Sequence, residues 1–190
     1  MQKKKITVIL AVGLLLSACS SSPKEIEQTP VSTAIAETAD TETAVQMQIT
    51  SEDLQDGVWA DRITSLSKGE NISPELAWTS VPEAEEYAVY MIDISADNWL
   101  HWQAYGIHDN ALEAGESLSS SSYKGPYPPS GTHTYEIHIY ALKGPADAWP
   151  GTFDAGNGSL EQMETMLDTA DGKVGNIISS AYISGTVQAE

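Results

Sequence analysis

Cys19 is the only cysteine in this chain of 190 residues, so no internal disulfide can hold a fold together. Structure has to come from a buried apolar core, which five Trp and eight Tyr, against one Phe, are suited to fill. The residues that would build this core alternate as strands do. In Thr134–Leu142, Tyr135, Ile137 and Ile139 share one face, while Glu136 and His138 share the other. Tyr87–Ile94 is rich in aromatic and β-branched residues and apolar on both faces, which places it centrally, with Asp93 marking its end. Trp99–Ile107 and a last segment, about Ser180–Val187, read as further strands. Asn71-Ile72-Ser73-Pro74 signals a turn ahead of the apolar positions Leu76 and Trp78. One helix is expected: Ser159 and Gln162 form a capping box, and Leu160, Met163 and Leu167 share a face. Asp171-Gly172 is its expected end. Several strands, one late helix and no βαβ alternation define a mainly β, antiparallel architecture.

The N-terminus carries a different signal. Lys3, Lys4 and Lys5 precede an uninterrupted run of apolar or small residues from Ile6 to Leu15, followed by Leu16-Ser17-Ala18-Cys19. Such a run is shorter than the roughly 20 apolar residues of a permanent membrane span, and it has the three-part form of a secretory signal. A leucine three residues before a cysteine, with small residues between, resembles the lipobox of bacterial lipoproteins. That resemblance implies a signal peptide over residues 1–18, acylation of Cys19 as the new N-terminus, and an extracytoplasmic protein anchored in the cell or outer membrane. Multiple acyl chains on one residue anchor firmly. Residues 19–46 are rich in Ser, Thr, Ala, Glu and Pro and contain no aromatic residue, so they read as a lipid-anchored, disordered tether. The folded domain is expected over residues 47–188.

The formal net charge is −18, and loss of three lysines with the leader would leave six basic residues against 27 acidic ones. That balance argues against nucleic acid as a partner and against broad adhesion to anionic lipid. The acidity reads as a solubility feature, since no Asp-x-Asp-x-Asp-Gly calcium loop occurs in the chain.

Polar groups interrupt the apolar strands at a few places. Asp93 ends one strand, and His101 lies near the start of the next, two residues after Trp99. Gly125-Pro126-Tyr127-Pro128-Pro129 is a stiff loop. His133 and Tyr135, two apart in a strand, share a face. Two imidazoles, a carboxylate and a phenol supply both donors and acceptors, a set suited to a phosphate or carboxylate held by directed hydrogen bonds. His108, beside Asp109-Asn110, reads as a surface residue in a turn, and His138 as structural.

These pieces, in this order and spacing, resemble the phosphatidylethanolamine-binding protein family, especially its bacterial Raf kinase inhibitor-like branch. The resemblance runs from about Met47 to Val187. It rests on Gly69 through Trp78, Asp93, His101-Trp102, Gly125 through Pro129, Gly131 through Tyr135, and Ile177 through Thr186. It implies a β-sandwich with a large central sheet, a smaller sheet and a C-terminal helix. It also implies an anion pocket formed by Asp93, His101, Gly125, Pro126, Pro128, Pro129, His133 and Tyr135. One stretch departs from the family: its Asp-Pro-Asp-x-Pro motif is here Asp93-Ile94-Ser95-Ala96-Asp97, without either proline or the second aspartate.

Three functions fit this reading. The first is a non-catalytic binding module for an anionic small molecule or lipid head group, without a cofactor. The second is a protein-interaction module that inhibits an extracellular hydrolase or other enzyme through exposed loops such as Glu113–Tyr123, where Ser117–Ser122 looks adaptable. The third is a hydrolase or zinc site using Asp93, His101 and His133. Against the third, the sequence offers no Gly-x-Ser-x-Gly elbow, and its single cysteine belongs to the export signal.

Overall fold

A computed structural model describes residues 46–190. The signal peptide over 1–18, Cys19 and nearly all of the 19–46 tether lie outside the described residues. No helix among the described residues is long and apolar enough to cross a membrane. In chain order the elements are β1 (Ile49–Thr50), β2 (Leu54–Gln55), β3 (Val58–Trp59), β4 (Leu76–Trp78), β5 (Glu86–Asp93), β6 (Trp99–Ile107), β7 (Ala111–Leu112), β8 (Ser121–Tyr123), β9 (Thr132–Leu142), α1 (Leu160–Leu167), β10 (Thr169–Ala170), β11 (Lys173–Val174) and β12 (Ile177–Gln188).

Seven strands form the large sheet in the order β2-β3-β12-β9-β5-β6-β8, and β1-β4-β7 form a smaller one. The expected antiparallel order holds with one exception. β3 meets β12 in parallel at Val58 and Thr186, so the large sheet is mixed.

β5 is central, as its two apolar faces imply, and all eight of its residues are buried. Tyr87, Val89 and Met91 pack on the inner face with Trp102, Ile137 and Ile139. Ala88, Tyr90 and Ile92 face outward against Leu100, Tyr140, Leu142 and the helix residues Met163 and Leu167. A sheet covered on both sides loses the strict alternation of a half-exposed one, which is why the outer-face residues of β9 include the buried Tyr140 and Leu142. His138, on that same face, is also buried; it bonds Glu136 at 3.0 Å and stacks on Tyr182.

The helix starts as its capping box specifies, with the Ser159 hydroxyl accepting from the Gln162 amide. It ends at Leu167, before Asp171-Gly172. Those two residues, both at positive φ, instead turn the β10–β11 hairpin. An Asp-Gly pair is the strongest short hairpin signal, and here it outranks the helix-stop reading. The serine-rich stretch after Leu118 is also more ordered than expected: Ser121–Tyr123 pair with β6 as the edge strand β8, and Ser121 accepts from the Trp102 indole.

Gly185 on β12 shows how tightly the β2 and β3 end of the large sheet packs over its own neighbouring strand. A Cβ there would lie 2.4 Å from Leu54 Cδ1 and 2.8 Å from Trp59 Nε1. That indole donates to the Tyr135 carbonyl at 3.2 Å. Gly185→Val should therefore overpack the site and lower stability by about 1–3 kcal/mol, read as a lower midpoint in urea unfolding.

Candidate anion-binding site

The register of three adjacent strands gathers the polar residues. Asp93, at the end of β5, stands opposite Trp99 on β6 and Tyr135 on β9. His133 lies two residues before Tyr135 and so shares its face. His101 arrives by a different route. Met91 pairs with Trp102 and Ile92 with Leu100, so His101 is the extra residue of a β-bulge. A bulge re-aims the side chain at its position, and this one puts Leu100 in the outer core and Trp102 in the inner one.

Asp93 is 3% exposed, and both of its oxygens are engaged. Oδ2 accepts from His133 Nδ1 at 2.6 Å and Oδ1 from the Ser95 amide at 2.8 Å. His101 Nδ1 lies 2.9 Å from the Lys124 carbonyl. A carbonyl only accepts, so Nδ1 carries the proton. The Lys124 amide returns a bond to the His101 carbonyl at 2.8 Å. Burial pushes the His101 pKa below its ordinary value, against the opposing pull of the Lys124 carbonyl and the Asp93 and Asp154 charges. The Tyr135 ring meets His101 edge-on at 5.2 Å and lies nearly parallel to His133 at 6.4 Å. Its hydroxyl is buried without a hydrogen bond among the described residues. Burial, then the Asp93 charge, raises the phenol's pKa, so it stays a neutral donor.

A cavity of about 330 Å³ opens over this group, lined by Asp93, His101 and His133 together with Ala96, Trp99, Lys124, Tyr127, Pro129 and Asp154. That is at the small end of ligand pockets. A larger open groove of about 740 Å³ runs along β12 and α1, but the imidazole on its wall, His138, is already bonded to Glu136. Asp93, His101 and His133 do not gather as a zinc site: no cluster of three or more His, Cys, Asp or Glu among the described residues is arranged to hold a metal.

Gly125, Pro126 and Pro128 are buried supports and, like the buried Tyr135 behind the imidazoles, do not line the cavity. Pro126 accepts from the Ser65 amide at 3.0 Å, and the Gly125 amide donates to Asn71 Oδ1 at 2.7 Å. The loop lies directly on the backbone of residues 63–65, where a Cβ on Gly125 would sit 2.2 Å from the Ile63 carbonyl oxygen. Buried Asp53 ties the same region together by accepting from Arg62 Nη2 and the Glu75 amide.

The proline-free turn after Asp93 is held by other means. Asp97 and Asn98 adopt positive φ, and Ser95 Oγ accepts from the Thr134 amide at 2.9 Å. The Asp97 carbonyl accepts from the Asn157 and Gly158 amides, so the loop before α1 braces the turn.

Lys124 and Asp154 were not among the residues expected at the site. Lys124 Nζ lies 2.7 and 3.0 Å from the two Asp154 oxygens, and the Trp99 indole donates to Asp154 Oδ1 at 3.2 Å. The Lys124 hydrogen bond holds the Asp154 carboxyl below the usual carboxylate range. Lys124 immediately precedes the Gly-Pro loop, which was a signal for it. Asp154 sits 30 residues further along, in a stretch without any strand pattern.

The large sheet, with a smaller one beside it, carries this histidine-lined cavity near its strand ends. The phosphatidylethanolamine-binding protein model matches residues 38–187, and the chain belongs to that family. A UPF0098 protein of Methanothermobacter thermautotrophicus is 37% identical over 103 residues, covering 44% of this chain and 68% of that protein. A Mycobacterium tuberculosis protein named "Putative lipoprotein LppC" is 30% identical over 156 residues, 72% of this chain and 77% of its own. Among solved structures, CT736 of Chlamydia trachomatis superposes with a TM-score of 0.60 at 24% identity, over 76% of this chain and 99% of its own. Escherichia coli YbcL superposes with a TM-score of 0.57 at 23% identity, with the same coverage.

Because backbone, not a flexible side chain, fills the space beside Gly125, Gly125→Ala should move the loop away from residues 63–65. A loss of about 1–3 kcal/mol in stability is expected, together with shifted amide resonances at Asn71 and Ser65 in a nitrogen–proton NMR spectrum.

Proposed function

We propose that this protein is an extracytoplasmic, lipid-anchored binding protein that holds an anionic group, phosphate or carboxylate, without catalysis. One observation carries the reading. His101 and His133 line a single small cavity with each Nδ1 committed to the protein, so that their Nε2 atoms remain for a ligand. Lys124 adds a cation at the rim, and the Tyr135 ring packs against both imidazoles. Trp99, Tyr127 and Pro129 supply apolar walls able to cover the organic part of such a ligand. No Ser, Thr or Cys lines the cavity, and its two aspartates are each engaged with a base, which favours holding over nucleophilic chemistry. The Leu16-Ser17-Ala18-Cys19 sequence and the similarity to LppC support anchoring through Cys19.

Calorimetric titration of the purified chain with phosphate, phosphoethanolamine and acetate tests the reading. Saturable binding is expected, weakened about 10- to 100-fold by His101→Ala and by His133→Ala, the equivalent of about 1.5–3 kcal/mol for a hydrogen bond to a charged group. A folded protein that binds none of the three anions would overturn it.

A further inference from the structure

The hydrogen-bond directions in the pocket set a condition on its ligand. The Lys124 carbonyl fixes the proton of His101 on Nδ1, and the Asp93 carboxylate does the same for His133. In its neutral form each imidazole therefore turns an Nε2 lone pair, an acceptor, toward the cavity. Neither Nε2 has a partner among the described residues. An oxyanion oxygen is an acceptor as well, so every contact between it and Nε2 needs one added proton. Either the ligand brings that proton or the imidazole takes it from water.

Charge points the same way. The titratable groups facing the two imidazoles are Asp93 on β5, Tyr135 on β9, Lys124 and Tyr127 beside the Gly-Pro loop, and Asp154 before α1. With neutral imidazoles and phenols these leave two carboxylates against one ammonium, and Asp154 already holds that ammonium. A proton-free anion entering the cavity meets a net negative charge. Burial also disfavours the charged form of His101, so that imidazole does not hold the needed proton in advance.

We propose that this pocket binds its anion together with protons, and so selects oxyanions that carry their own O–H, hydrogen phosphate or a protonated phosphate monoester, over proton-free sulfate and phosphodiesters. The inference rests on the anion-binding reading above and narrows it to a terminal phosphate. An intact phospholipid presents a phosphodiester, which brings no proton and is disfavoured.

The test uses the full chain with two probes, inorganic phosphate and sulfate, in competition with each other. Binding is measured by calorimetry from pH 6 to 8.5, in pairs of buffers with different ionisation enthalpies, which counts the protons taken up. Sulfate should take up about one proton more than phosphate, and the preference for phosphate should grow about tenfold between pH 7.5 and 8.5, the slope set by a one-proton difference. A preference that stays constant over that unit, with equal proton uptake, overturns the inference while the anion pocket stands. Failure of both anions to bind even at pH 6 overturns the pocket reading and this inference together.

Discussion

The Asp93 carboxylate is the point on which the site depends. It is almost fully buried at the end of a strand whose eight residues are all inaccessible, and a carboxyl group in such a place needs its oxygens hydrogen-bonded. His133 and the Ser95 amide meet that need. One bond fixes the orientation of an imidazole, and the other starts the turn that leads to β6. The same carboxylate thus orders the His133 side chain and the local backbone, and the register of β5 against both neighbours puts it within reach of each. The requirement to satisfy a buried carboxyl group and the requirement to hold an imidazole still are met by one contact.

Around that point, rigidity comes from packing more than from sequence stiffness. The prolines of the loop after Lys124 contribute, but Gly125 matters for the opposite reason: it lets the chain lie on the backbone of residues 63–65. On the other side of the pocket the turn after Asp93 has no proline at all, and backbone amides of Asn157 and Gly158 hold it through the Asp97 carbonyl. A turn stabilised by a neighbouring loop couples that loop to the pocket wall. The loop is also the one that delivers Asp154 to Lys124, so the residues replacing proline stiffness and those setting the rim's charge belong to one segment.

What the sequence made legible follows from which signals are local. β6 runs from Trp99 to Ile107 as expected, because its aromatic and β-branched residues carry the strand signal across His101 and Gln103, and the parity of Tyr135, Ile137 and Ile139 held along β9. The capping box at Ser159 is local chemistry and was readable as such. The helix end was misplaced because Asp-Gly serves two signals, and only the pairing of Thr169 with Val174 decides between them. The two-residue strands and the parallel contact of β3 with β12 were not visible, since each exists only by virtue of a distant partner. Of the residues expected at the site, Asp93, His101 and His133 line one cavity and Tyr135 packs against both imidazoles, whereas Gly125, Pro126 and Pro128 lie behind the wall. The bulge at His101 and the Lys124–Asp154 pair depend on tertiary register and left little trace in the residue order.

The exposed Lys124–Asp154 bridge adds little to stability, because both side chains are open to water and solvent screens their attraction. Its effect on the pocket is larger. Without Asp154, the charges of Lys124 and Asp93 would offset each other and Lys124 would be free to approach an anion in the cavity. With Asp154 in place, Lys124 is held by its partner, and under the proposed function binding would depend on directed bonds to Nε2. The acidity of the whole chain acts in the same sense at longer range by repelling anions from solution. A ligand that overcomes both must satisfy the hydrogen-bond pattern of the two imidazoles, and geometry then determines selection more than charge does.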